Sequence, residues 1–200
     1  TLFPYTTLFR SLKLNKAGVD LASVSGHKIH APKGVGALYV KKNLTIKPIV
    51  FGGEQEKKLR PGTEALPLIA GFAQAVKETN SEKNYNCISS LNSYIREKLS
   101  ETDGVVINSP EDAIPYIINF SAVGIRSETM LHFLAAKEIY VSSGSACAKG
   151  KPSHVLSAMG LSRDVADSAL RVSFSEDNTK EDIDALIDAL VEGINTLAKR

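Results

Sequence analysis

Short apolar runs alternate with longer stretches that carry apolar residues at helical spacing, and this alternation predicts an α/β fold. A polar junction from Thr79 to Asn86 divides the pattern in two. The part before it reads as a piece of a larger, mostly parallel sheet domain, residues 12–80. The part after it, residues 81–200, reads as a smaller α/β domain. Residues 1–11, TLFPYTTLFRS, have neither the charged start nor the small-residue cleavage site of a signal peptide. They read as a non-native extension, of the kind left by a translated sequencing adapter, and are set apart from the fold.

The elements follow in order. VDLASVS, from Val19 to Ser25, is a short strand that ends in Gly26-His27-Lys28. VGALYV, Val35 to Val40, is a second strand, and Ile46 to Phe51 is predicted as a third. A Gly- and Pro-containing loop from Gly52 to Pro67 leads to a helix over Leu68 to Thr79, with Leu68, Phe72, Ala75 and Val76 on one side. Ile88, Leu91, Ile95 and Leu99 mark a longer helix from Ser81 to Ser100. Strands are then predicted at Val105 to Ile107 and Tyr116 to Phe120. A helix capped by Ser127 runs to about Lys137, and a strand at Tyr140 to Ser142 opens onto a Gly/Ser-rich stretch. Short helices at Ser153 to Met159 and Arg163 to Ser168 and a strand at Leu170 to Phe174 precede the last helix, which Thr179 opens. Its stripe of Ile183, Leu186, Ile187, Leu190, Ile194 and Leu197 is core packing.

Composition excludes several classes. Of 200 residues, 24 are Lys or Arg and 22 Asp or Glu, a net charge of +2, which makes no case for nucleic acid or an anionic membrane as partner. No apolar run in the sequence is long enough to span a bilayer. Two cysteines do not make a disulfide framework, so a reducing cytoplasm is expected. His30, His132 and His154 show no metal spacing with the cysteines, and no metal is expected.

Four stretches could carry chemistry. VSSGSACAKGKPSHVL, Val141 to Leu156, sets Cys147 among small residues, with Lys149 and Lys151 nearby and a helix start at Pro152-Ser153. Cations and a helix N-terminus favour a thiolate, so Cys147 reads as a mobile nucleophile. Cys87, beside Ile88 and Leu91, reads instead as core packing. In Ser25-Gly26-His27-Lys28, the lysine amine is a candidate Schiff-base former, and the serine hydroxyl and imidazole could hold a phosphate. Arg60-Pro61-Gly62-Thr63 suits an anion, or simply a Pro-Gly turn. Arg171, in the apolar strand ALRVSF, wants a carboxylate, from the protein or from a substrate.

SGHKIHAPKGVGALYV, LRPGTE, SSGSAC and ALRVSF, in this order, resemble the cysteine desulfurases of the NifS/IscS kind, within the class V aminotransferases. The resemblance runs from about Leu12 to Lys199. It implies a fold-type I pyridoxal 5'-phosphate enzyme. Lys28 would form the Schiff base with that cofactor, and Ser25 and His27 would bind its phosphate. Thr63 would reach the phosphate on the neighbouring subunit of a homodimer. Arg171 would hold the substrate carboxylate. Cys147 would take sulfur from L-cysteine as a persulfide, leave L-alanine, and pass the sulfur to an acceptor such as an iron–sulfur scaffold or a tRNA-thiolation protein. Two alternatives use the same framework: a class V aminotransferase or selenocysteine lyase, and an inactive fragment acting as a dimerisation or sulfur-carrier partner. The family's ring-stacking histidine, and the aspartate and glutamine that contact the pyridine ring, belong to a part upstream of Leu12. The sequence therefore reads as the second half of an enzyme, incomplete for activity and poorly soluble by itself.

Overall fold

A computed structural model of the protein describes residues 14, 16–79, 81–143 and 154–198. The chain falls into two compact units, Thr1–Glu82 and Lys83–Arg200.

The first unit is built on an antiparallel hairpin of β1 (Leu21–Ser25) and β2 (Gly36–Val40). Its open end is closed by an ion pair, Lys41 Nζ to Asp20 Oδ1 at 2.9 Å, and by a backbone bond from Lys41 to Asp20. The connection between the strands starts as a 3₁₀ turn, Gly26–Ile29, which ends at His30 in the left-handed region. Gly26 is required here. A Cβ on it would meet the Val35 carbonyl oxygen at 2.9 Å, and Gly26 N–H already donates to that oxygen. Helix α1 (Leu66–Glu78) carries Pro67 in its first turn, where the missing N–H costs nothing. It packs on the hairpin connection: Gly71 leaves room for Pro32, whose Cγ would lie 2.9 Å from an added Cβ.

Two expectations for this unit are corrected. Ile46 to Phe51 is not a strand. Pro48 cannot donate to a ladder, no neighbouring strand accepts the run, and Ile49 and Phe51 stand 94% and 83% exposed. In α1, Ala75 is buried but Val76 is 55% exposed, so the apolar side is narrower than its spacing suggests. The strand pairing seen here is antiparallel, because the connection from Ser25 to Gly36 is too short for a parallel crossover.

The second unit packs helices on an antiparallel sheet of order β3-β4-β5, formed by Val105–Ile107, Ile117–Ala122 and Ala169–Ser173. Helix α2 (Ser81–Ser100) buries Ile88, Leu91, Ile95 and Leu99, the stripe its periodicity predicts. Cys87 is exposed, contrary to expectation. At about 100° per residue it sits a quarter turn off that stripe. Buried Asn92 donates to the Pro115 carbonyl at 2.8 Å, and Arg96 reaches the Ser109 and Pro110 carbonyls, which staples α2 to the β3–β4 connection.

Helix α3 (Ser127–Ala135) buries Met130 and Leu134; Arg126 occupies the cap position, so Ser127 is its first helical residue and makes no capping bond. Short helices α4 (His154–Ala158) and α5 (Arg163–Asp167) follow. Helix α6 (Lys180–Thr196) opens with a reciprocal cap between Thr179 and Asp182 and buries Ile183, Leu186, Ala189 and Leu190. Gly193 lets α6 approach α3, since a Cβ there would meet Met130 Sδ at 2.8 Å. Tyr140 to Ser142 is reduced to a single bridge at Ser142.

Candidate functional site

In the first unit, three of the expected residues come from one turn. Ser25 is the last residue of β1 and is half-buried, while His27 and Lys28 lie exposed on the 3₁₀ turn that follows. The close packing of Gly26 on Val35 pins the backbone from which all three side chains project. Thr63 lies on the separate loop before α1 and is exposed. In that loop Gly62 adopts a φ of 113°, Gly62 N–H donates to Gln55 Oε1 at 3.2 Å, and the Arg60 guanidinium donates to the Pro61 carbonyl. Arg60 is thus engaged with its own loop.

In the second unit, Arg171 lies mid-strand in β5. It donates its N–H to the Ser142 carbonyl at 2.6 Å and accepts from Ser142 N–H at 3.1 Å. Both backbone groups of Arg171 therefore point away from β4. Its cross-strand pair with Asn119 is consequently the non-hydrogen-bonded kind, in which side chains come closest. The Nε of Arg171 is buried and has no hydrogen-bond partner, and no carboxylate pairs with the guanidinium among the described residues. Among the described residues, the internal acid that such an arginine commonly finds is absent. Cys147 lies outside the described residues; the segment that bears it departs from Ser142, the residue tied to Arg171.

Three residues of this region went unnoticed in the sequence. Asn108, Asn119 and Ser121 share one face of the sheet with Arg171. Asn108 Nδ2 donates to Asn119 Oδ1 at 2.7 Å and to Ser121 Oγ at 2.8 Å, and Ser121 Oγ donates to the Val165 carbonyl at 2.7 Å. The available signal was the alternation in β4. Ile118 and Phe120 are fully buried on one face, which puts Asn119 and Ser121 on the other.

The donor chemistry fits pyridoxal 5'-phosphate: a primary amine for an aldehyde, with a hydroxyl and an imidazole within three residues of it for a phosphate. Among the described residues no cluster of His, Cys, Asp or Glu could hold a metal ion, and no helix is long and apolar enough to cross a membrane.

By its structural neighbours the chain is part of a fold-type I transferase, a class whose desulfurase and aminotransferase members depend on pyridoxal phosphate. The family model described as aminotransferase class-V matches residues 6–186, and the chain belongs to that family. It is 39% identical over 180 residues to the cysteine desulfurase IscS of Clostridium botulinum, covering 86% of this chain and 45% of the relative. The solved NifS-like protein from Rickettsia africae superposes with a TM-score of 0.83 at 33% identity, over 98% of this chain and 53% of that one. A structure of SspA in complex with cysteine matches with a TM-score of 0.69 at 30% identity, over 90% of this chain and 50% of that one. The chain thus spans about half the length of the relatives it matches.

Proposed function

We propose that this chain works in a cysteine desulfurase, an enzyme that takes sulfur from L-cysteine with pyridoxal phosphate and yields L-alanine. The observation that carries the reading is the buried, partnerless Nε of Arg171, hydrogen-bonded through its backbone to the root of the Cys147 segment. A guanidinium with a buried, unpaired Nε and no carboxylate partner among the described residues calls for an external carboxylate. The bound cysteine in the SspA structure and the named activity of the Clostridium relative support the choice of amino acid.

The roles divide among the chain's own residues. Ser25 and His27 bind the cofactor phosphate. Lys28 binds the cofactor aldehyde and moves a proton at the substrate carbon. Arg171 fixes the substrate carboxylate, which orients the Cβ–Sγ bond. When bound, the cofactor supplies an electron sink that makes that bond cleavable. The Cys147 thiolate attacks the substrate sulfur. The carbon–sulfur bond breaks, its electron pair stays on carbon and picks up a proton, and Cys147 is left as a persulfide. Atoms balance: L-cysteine and a thiol become L-alanine and a persulfide. Thr63 reaches the phosphate held by the other subunit of a homodimer, and the persulfide passes to an acceptor, an iron–sulfur scaffold or a tRNA-thiolation protein, in the cytoplasm.

A persulfide-selective label applied after L-cysteine tests this in the cofactor-loaded enzyme. Label is expected in wild type and in Cys87→Ser, and its loss in Cys147→Ser. Because Cys87 is exposed, both variants are needed. Equal labelling of Cys147→Ser and wild type would refute the reading.

A further inference from the structure

We propose that Asn119 is a second contact for the substrate carboxylate, its amide N–H groups lying beside the Arg171 guanidinium to form one donor edge. The inference rests on the reading of Arg171 as the carboxylate anchor and adds to it.

A chain of hydrogen bonds fixes which way the Asn119 amide faces. The Val165 carbonyl can only accept, so the bond of 2.7 Å from Ser121 Oγ uses the one proton of that hydroxyl. The Ser121 oxygen must then accept from Asn108, which places Nδ2 of Asn108, not Oδ1, against it at 2.8 Å. The same Nδ2 faces Asn119 at 2.7 Å, so the Asn119 atom there is the acceptor Oδ1. The Nδ2 of Asn119 is turned away from Asn108 with both of its protons unused, and no described residue accepts from it.

The backbone adds to this. Asn119 N–H donates to Ser109 Oγ at 2.8 Å, and its carbonyl accepts from Asn108 and Ser109 N–H. Its main chain is thus satisfied on the β3 side, and its side chain stands next to that of Arg171 across a non-hydrogen-bonded pair, with Cα atoms of such pairs about 4.5 Å apart. The two neighbours offer N–H donors and no acceptor: a guanidinium with a buried, unused Nε, and a pre-oriented amide. Such a pair suits a carboxylate, whose two oxygens can accept from both. It opposes a neutral amide or alcohol at the same place, which would leave donors unpaired.

Titration of the whole enzyme, kept free of cofactor, with L-alanine and with ethylamine, which is L-alanine without its carboxylate, tests this without turnover. The readout is the Arg171 Nε–H signal in the ¹⁵N spectrum. L-Alanine should shift it and ethylamine should not. Asn119→Ala should weaken L-alanine binding about tenfold, the loss of one charge-assisted hydrogen bond, with the β-sheet amide signals retained. Asn119→Asp should abolish it, by placing an anion against the carboxylate, while Asn119→Ser should recover part of the loss. If Arg171→Ala removes binding but Asn119→Ala and Asn119→Asp leave it unchanged, the role of Asn119 is overturned and the Arg171 reading stands. If L-alanine never moves the Nε–H signal in wild type, both are overturned.

Discussion

Tyr94 shows how a single proton joins two helices. Its hydroxyl donates to Asp184 Oδ1 at 2.7 Å, linking α2 to α6, and the Lys98 and Lys180 ammonium groups lie 5.4 and 4.9 Å from its ring centre. The bond to Asp184 raises the phenol above its ordinary pKa of 10.0. The folded phenol therefore keeps its proton where the unfolded one has lost it. The stabilisation is complete below about pH 10 and is lost as pH rises through the folded value. Urea midpoints of wild type and Tyr94→Phe should differ at pH 8.5 and converge as the pH rises above 10; a difference that stays constant would show that this proton does not matter. The proposed carboxylate site follows similar residue-level logic. Arg171 was legible in the sequence, because a guanidinium inside an apolar strand demands an explanation. Asn108, Asn119 and Ser121 were not, because a polar residue at every second position of a strand looks like a solvated face. Only the pairing of β4 with β5 sets Asn119 opposite Arg171, and that register joins positions 52 residues apart, 171 minus 119.

At the scale of the element, the apolar stripe of α2 was readable to the residue, whereas in α6 Ile183, Leu186 and Leu190 are buried as the spacing predicts but Ile187, Ile194 and Leu197 are only half-buried and Ala189 takes a core place instead. The stripe is a local property, so one face of the helix reports it directly. Strands were less so, since their existence depends on a partner. Ile46 to Phe51 has the composition of a strand and forms none, while Tyr140 to Ser142 keeps one bridge. Caps lie between these extremes. Thr179 closes a full reciprocal cap with Asp182, whereas Ser127 only looks like one, because Arg126 holds the extended cap position. Thr179→Ala should accordingly cost about 1 kcal/mol of stability, measured by denaturant unfolding of the second unit. Ser127→Ala should cost much less, and equal losses would contradict the difference between the two helix starts.

Across the whole molecule, the two units hold very different cores. Among the described residues the buried apolar set of the first is Val19, Ala22, Ala31 and Ala75, three of them alanines, while the second buries Phe120, Met130, Leu170 and many other large side chains. Leu66 on α1 is 70% exposed, adding to the uncovered surface at Ile49 and Phe51. Amide hydrogen exchange should therefore find slow protons in β4, β5, α2 and α6 and fast ones in β1 and β2. Uniform protection across both units would overturn this ranking. The bridge between Ser142 and Arg171 has a consequence for the sulfur transfer proposed above. It works as a tether post: Cys147 is five positions along, 147 minus 142, so its reach from that post is at most roughly 17 Å. If Cys147 carries the sulfur as proposed, an acceptor has to come inside that radius, which would make the surface around the β5 edge its landing ground.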